Sequence, residues 1–372
     1  MIITEVNTKA TRKAFLDSAR KVYVNDSNWI CPLDNDIEAV FDPSKNNFFN
    51  FGKATRWVLT TVSGELIGRI AAFINEKKAY NFEQPTGGIG FFECIENEEA
   101  AFLLFDTAKA WLQQNGMKAM DGPINFGEND MFWGLLIEGF VPQSYGMNYN
   151  PPYYKRFFDN YGFKTQYEQI TNHVSAHKPF PERFTKIANW VAQKPGYTFK
   201  HLKSSEIESF AADFMEVYND AWQNFENFVP IQKATIYETF RKMKTIMDEN
   251  LIWFAYVDNE PASFVVVLPD ANQMIKTLNG KLDLIGKLKF LYYRWKGVHR
   301  MRAVVMGTKI KYQKHGLESV LFIKLKEYVL PLKQYDEMEL SWVGDFNDKM
   351  LALHEAMGSE LGKKHATMRY IF

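Results

Sequence analysis

The chain has 372 residues, 46% of them hydrophobic and 16% aromatic, which is long for one core and comfortable for two domains. Lysine plus arginine and aspartate plus glutamate each number 44, and the resulting zero net charge argues against a general nucleic-acid binder. No run approaches the ~18 apolar residues of a membrane span, and Cys31 and Cys94 stand too far apart to form a metal or redox pattern.

Met1 to Glu5 reads as a strand and Thr8 to Val24 as a helix with an apolar face of Ala14, Phe15, Ala19, Val22 and Tyr23. A loop-rich stretch follows, with one helical turn at Asp36 to Val40. Arg56 to Val62 and Glu65 to Ile74 make two strands around Ser63-Gly64, a hairpin signal. Gly87, Gly88 and Gly90 lead into Phe91-Phe92-Glu93-Cys94, a turn into a strand, since no helix follows directly as a phosphate cradle would require. Glu98 to Asn115 is a helix capped by Asn97 and stopped at Gly116. After a short strand, Met117 to Met120, a long loop runs to Tyr149. Asn150-Pro151-Pro152 opens a helix to Tyr161, with Asn150 as its expected cap and Gly162 as its stop, and Phe163 to Val174 closes the lobe.

Three prolines frame one helix between residues 179 and 196, which reads as a connection. The element order then repeats: strand (Tyr197 to His201), helices (Ser205 to Trp222, Lys233 to Asp248), a hairpin around Asp258-Asn259, a largely helical insertion (Ala271 to Lys296), strand–helix, strand (Glu337 to Val343), helix (Asn347 to Met357) and final strand (Lys363 to Phe372). Trp57 and Trp253 open the two hairpins, Gly162 and Gly358 end the two late helices, and both pairs are offset by 196 (253 − 57; 358 − 162). Lobes are thus expected at 1–178 and 197–372, each an α/β (α+β) unit with a mixed sheet.

The most informative stretch runs from Arg302 to Tyr328. Ala303-Val304-Val305-Met306 is a buried-strand signal, and Val320, Leu321, Ile323, Leu325 and Tyr328 recur at helical spacing. The polar loop Thr308 to His315, ending at Gly316, lies between them. A strand feeding a helix through such a turn aims backbone N–H groups and a positive dipole end at one spot, which suits a pyrophosphate.

Gln313-Lys314-His315-Gly316-Leu317-Glu318 resembles the Q/R-x-x-G-x-G/A motif of the GNAT superfamily of acyl-CoA-dependent N-acyltransferases. The element order resembles two tandem lobes of that family, and the first-lobe runs around Pro123, Gly139 and Asn150-Pro151-Pro152 resemble its tandem bacterial members. Glu318 departs from the motif, because it stands where the family has a small residue and a carboxylate there repels a pyrophosphate. The resemblance implies direct attack of an amine on the thioester of acetyl-CoA or another acyl-CoA. It also implies a cofactor site formed by the strand backbone at Met306, Gly307 and Thr308, the loop and helix start Gln313, Lys314, His315, Gly316, Leu317, Glu318 and Ser319, and Asn347. The late helix fits the family spacing N-x6-Y-x3-G with His354 in place of tyrosine. A histidine near its ordinary pKa gives or takes a proton at neutral pH. Glu339 shares a strand face with Glu337 and Ser341 and is the expected base.

The first lobe lacks a glycine in the corresponding turn, has Glu96, Glu98 and Glu99 at its helix start and Phe158 at the tyrosine position. It is expected to be degenerate for coenzyme A, a scaffold or acceptor wall; Tyr153 and Tyr154 fit core or surface packing better than a place on that wall. The seven histidines show no metal spacing, so no metal is expected, and the N-terminus lacks an apolar signal core, so a cytoplasmic place is expected. The acceptor is expected to be a small-molecule or peptide amine. The basic stretch from Lys281 to Arg302 runs beside Leu284, Ile285, Leu288, Leu291 and Tyr292, which fits a solvated amphipathic helix, weak contact with a membrane surface, or a dock for an anion. Two further readings stay open: a non-catalytic acyl-CoA or ligand-binding protein that keeps the fold, and an aminoacyltransferase of the Fem type.

Overall fold

The computed structural model describes residues 1–224, 230–244 and 246–372. The first half runs β1 (Ile2–Glu5), α1 (Lys9–Val22), α2 (Asp34–Val40), β2 (Gly52–Thr60), β3 (Leu66–Asn75), α3 (Glu76–Ala79), β4 (Thr86–Cys94), α4 (Glu98–Gln114), β5 (Ala119–Gly122), β6 (Leu135–Glu138), α5 (Tyr154–Tyr161) and β7 (Lys164–Ser175). The second runs α6 (Glu182–Ala192), β8 (Tyr197–His201), α7 (Ile207–Trp222), α8 (Lys233–Met243), β9 (Ile252–Val257), β10 (Glu260–Pro269), α9 (Ala271–Ile275), α10 (Leu284–Lys296), β11 (Arg300–Thr308), α11 (Leu317–Val329), β12 (Glu337–Glu339), β13 (Val343–Gly344), α12 (Asp348–Ala356) and β14 (Glu360–Ile371).

Local chemistry sets most boundaries. Thr8 and Thr11 form a reciprocal capping box at α1, and the Asn97 side chain accepts from Ala100 N at α4. Asp258 and Asn259 both take positive φ (51° and 67°), as a tight turn between β9 and β10 requires. Gly162 (φ 108°) and Gly358 (φ 69°) end α5 and α12 in the left-handed conformation, so the 196-residue offset read from the sequence marks equivalent helix ends. One expectation fails here. Asn150 does not cap α5, whose N-cap is Tyr153 without a side-chain bond. Its amide instead accepts from Leu136 N (2.7 Å) and donates to Leu136 O (3.1 Å), tying the long loop to β6, a strand that the sequence reading left inside that loop.

The strands join one mixed sheet in the order β1-β2-β3-β4-β5-β14-β7-β12-β11-β10-β9-β8, with β13 on β7 and β6 on β14. The closing strand of the first lobe, β7, pairs antiparallel with β12 of the second, while β14 pairs with β5 of the first. A cut at 179–196 therefore leaves each closing strand in the other lobe's half of the sheet. The β7–β14 ladder, from Lys164↔Arg369 to His173↔Glu360, fuses the halves.

Three apolar clusters brace this frame. One places Leu104, Phe105, Phe157 and Phe158 between α4, α5 and the first half-sheet. The other two lie in the second half: Ala303, Met338 and Leu340 pack on α6 and α11, and Phe254, Phe264 and Val266 pack on α7 and α8. Full burial of each of the larger side chains contributes roughly 2 kcal/mol.

Candidate active site

Parallel pairing of β11 with β12 covers only Arg300↔Glu337, Met301↔Met338 and Arg302↔Glu339. The chain after β12 then turns to β7, where Val343 opposes Ile170. β11 runs on to Thr308 paired with β10 only, so a wedge opens on its other edge beyond Arg302 along about 20 Å of strand. At its crotch the Ser341 hydroxyl donates to the carbonyls of Ala303 (2.5 Å) and Val304 (2.7 Å). Val304 has no opposite number on β10, because the register passes from Val267↔Ala303 to Val266↔Val305. This bulge bends the strand and re-aims its edge. A Cβ on Gly307 would sit 2.5 Å from Cζ3 of Trp222 on α7, so a side chain there has to displace the indole.

Beyond the wedge, Lys309 to Gly316 carries the chain to α11. Gly316 is the N-cap at φ 77° without a side-chain cap, so the first N–H groups of α11 are left to other acceptors. Lys314 also has positive φ (71°) and is exposed. The loop is pinned from outside. Lys309 pairs with Glu216 and Glu260, and Glu260 also accepts from Lys311 (2.7 Å) and Tyr312 (2.9 Å), bonds that hold its carboxyl down at about 2. His315 Nδ1 lies 2.8 Å from the Tyr197 hydroxyl. Glu318, the departure from the motif, accepts from Thr308 Oγ1 at 2.6 Å, so its carboxylate is turned back to the end of β11. An uncapped helix start beyond a bulged strand with one free edge suits an anion and an extended amide arm, and the Glu318 carboxylate opposes an anion there. Asn347, expected in the cofactor site, spends its amide oxygen capping α12 at Met350 N (3.3 Å).

The two expected acid–base residues lie on opposite faces of the sheet. His354 is 4% exposed, with Nδ1 3.3 Å from Asn172 Nδ2, and burial lowers its pKa to about 4. It is therefore neutral at pH 7 and does not titrate where the sequence reading put it. Asn172 alternates with Thr171 and His173 along β7, so it points away from the face that carries Glu339. Glu339 is 3% exposed. Burial would raise its pKa, but Lys363, with which it pairs, and Arg300 and Arg302 beside it outweigh burial and bring it down to about 2. Such a carboxylate stabilises positive charge far better than it holds a proton.

Glu339 belongs to a buried polar seam that the sequence reading missed. Lys363 opposes Thr171 and His365 opposes Gln169 across the β7–β14 ladder. Glu339 Oε1, Thr171 Oγ1, both Gln169 amide atoms, His365 Nδ1 and Arg302 Nε are buried without a protein partner. Each would cost about 1–3 kcal/mol if it stayed unsatisfied, so their convergence marks a place that receives polar groups. His365 Nε2 lies 3.1 Å from the Asn148 carbonyl and carries the ring proton, leaving Nδ1 as a lone pair; burial lowers its pKa to about 4. The long loop of the first lobe roofs the seam: Arg302 donates to Tyr145 O, and Trp133 Nε1 donates to Tyr167 Oη (3.0 Å) and Thr367 Oγ1 (3.1 Å). The alternating polar residues of β7 (Gln169, Thr171, His173) and β14 (Lys363, His365, Thr367) were the available signal.

The first lobe has no such opening at the matching place. Ile124 N bonds Ile89 O (2.8 Å), and a Cβ on Gly90 would fall 1.9 Å from Ile124 O, so the chain after β5 fills the gap beside β4. Tyr154 is buried and donates to Glu93 (2.9 Å), which also meets Arg69 (3.3 Å). The adjoining cavity, about 50 Å3, has room for water.

No protein-family model matches the sequence. Among solved structures, the tandem GNAT protein from the clavulanic acid biosynthesis pathway matches with a TM-score of 0.58 at 12% identity, over 100% of this chain and 98% of that one. The GCN5-related N-acetyltransferase from Sphaerobacter thermophilus matches at 0.53 and 10%, over 100% and 95%. The fold is that of a tandem GNAT-like acyltransferase. In sequence, the chain is 26% identical over 362 residues to protein YghO of Escherichia coli, covering 95% of this chain and 91% of that protein. It is 30% identical over 369 residues to the bacterial ceramide synthase of Caulobacter vibrioides, covering 96% of this chain and 94% of that protein. Likeness of that extent, on a matching acyltransferase frame, shows that the chain belongs to the family of the bacterial ceramide synthase.

Proposed function

We propose that the protein is an acyl-CoA-dependent N-acyltransferase whose acceptor is the amine of a long-chain amino alcohol, giving a ceramide-type amide. The observation that carries this reading is the wedge itself, a bulged β11 whose free edge leads to the uncapped start of α11. The family relationship supports the lipid acceptor, and with it a fatty acyl group in place of the acetyl group first expected.

In this reading the backbone from Ala303 to Thr308 holds the pantetheine arm, and Lys314 with the N–H groups at Gly316 to Ser319 holds the diphosphate. The amine nitrogen attacks the thioester carbonyl carbon, the C–S bond breaks, and the proton lost by nitrogen ends on the departing thiolate. Glu339 Oε1 accepts a hydrogen bond from the amine and stabilises the positive charge that grows on nitrogen. His365 Nδ1 offers a second acceptor for the same amine. His354 supports β7 through Asn172 from the far face. The first lobe supplies the roof over the acceptor and takes no part in coenzyme A binding.

The test is amide formation, followed by mass spectrometry, with a long-chain amino alcohol and either acetyl-CoA or a long-chain acyl-CoA. Amide from the long-chain donor in preference to acetyl is expected. No amide from any donor, with acyl-CoA still bound, would favour the second reading, a binding protein, for which the Glu318 carboxylate beside the loop is the specific support.

A further inference from the structure

α10 is a surface helix with two unlike faces. Its inner side rests through Phe290 on Ile30, Tyr145, Ile275 and Leu278, at the junction of the two lobes. Only Gly286 within the helix is buried. Its outer side exposes Leu284, Ile285, Leu288, Leu291, Tyr292 and Trp295, with Leu284 75% and Trp295 83% exposed. At ~100° per residue these six fall within an arc of about 120°, while Gly286, Phe290 and Tyr293 fall on the opposite side. Lys287 and Arg294 line one flank of the apolar arc, and Lys289 and Lys296 line the other. The acid at the helix start, Asp283, is spent on the cap, where Oδ1 accepts from Gly286 N at 2.8 Å.

An exposed apolar arc bordered by cations on both sides is the pattern of a helix lying in a membrane interface. Among the described residues, no helix is long and apolar enough to cross a membrane, and α10, at about 20 Å, suits the plane of the surface instead. The flanks decide against a second copy as occupant: two such faces brought together would set rows of Lys and Arg against each other, whereas lipid phosphates would neutralise them.

We propose that α10 docks the protein on an anionic lipid bilayer, with the leucines and Trp295 at the acyl boundary and the basic flanks on lipid phosphates. From α10 the chain turns at Gly297 (φ 105°) straight into β11. The bilayer thus lies by the paired end of β11, across the wedge from the loop 309–316 where coenzyme A would bind. This surface adds to the acyltransferase reading a route for its acceptor, but its test needs no activity.

The test is co-sedimentation of the full chain with vesicles of phosphatidylcholine, alone or with a quarter phosphatidylglycerol. The unmodified chain is expected to bind the anionic vesicles, and Leu288→Glu/Trp295→Glu and Lys287→Glu/Lys289→Glu/Arg294→Glu are each expected to bind them at least about a hundredfold more weakly. Both variants change exposed side chains, so their melting temperatures should match the unmodified chain. Absence of binding to anionic vesicles, or unchanged binding by Leu288→Glu/Trp295→Glu, overturns the proposal. So does a dimer that this variant converts to monomer without any vesicle binding. Amide formation in detergent without vesicle binding would sink this inference alone, whereas vesicle binding without amide formation would leave it standing and sink the acyltransferase reading.

Discussion

Replacing Glu339 by glutamine tests the seam at its centre. The substitution keeps the shape and removes the charge that Lys363, Arg300 and Arg302 surround. Lys363 is itself 3% exposed, so the variant leaves a buried ammonium without its counter-ion. Breaking a buried pair from one side costs about 3–5 kcal/mol. Proton linkage gives a similar figure. A carboxyl lowered from 4.5 to about 2 on folding contributes roughly 3 kcal/mol at neutral pH, at ~1.4 kcal/mol per unit. Because the folded value is the depressed one, this stability is fully present above pH 4.5 and disappears as pH falls through about 2. Urea melts of both proteins at pH 7 and at intervals down to acid would read it directly. The expected result is a loss of about 3 kcal/mol in Glu339→Gln at pH 7, a gap that closes below pH 4.5, and partial recovery in Glu339→Gln/Lys363→Met. A variant within about 0.5 kcal/mol of the unmodified protein at pH 7, or one with an unchanged acid profile, would refute the buried-pair account.

Three further outcomes follow from neighbouring groups. His354 and His365, both lowered from 6.5 to about 4 by burial, must take up protons to unfold in mild acid, so the stability they carry is intact above pH 6.5 and falls between there and pH 4; His354→Asn should flatten that slope by about one proton. Lys314→Glu reverses an exposed charge at the loop without changing its backbone, and calorimetry should show coenzyme A binding weakened roughly tenfold, less at high salt. Gly307→Ala drives a methyl toward the Trp222 indole, and a cost of about 1–3 kcal/mol is expected in thermal melts, with a raised KM for acyl-CoA.

Much of this architecture was legible because its punctuation is local. Ser63-Gly64, Asp258-Asn259, Gly162 and Gly358 mark turns and helix ends whatever the rest of the chain does, and the strand–loop–helix unit around Gly316 reads from hydrophobic period and glycine alone. The exchange of closing strands was not legible. β7 and β14 carry similar alternating patterns, and nothing within either states which half-sheet it will join; that is settled by the long β7–β14 ladder. The seam was hidden for the same reason, since Glu339, Lys363, Gln169 and Arg302 come together only through that exchange. Asn150 misled because an asparagine before two prolines is a good cap in isolation, yet its amide is worth more bridging the backbone of β6. His354 was read from motif spacing and Glu339 from strand alternation, but neither pattern carries information on burial, which lowers the pKa of His354, or on the cations that lower that of Glu339.

The measurement that tests the central claim most directly is a crystal structure of the chain with coenzyme A. The diphosphate should lie within hydrogen-bonding distance of the backbone N–H groups of Gly316 to Ser319, with the pantetheine arm along Ala303 to Thr308 and its sulfur at the wedge beside Ser341. Coenzyme A seated instead against β4 and α4 of the first lobe, or a closed wedge with no binding at saturating concentration, would contradict the account.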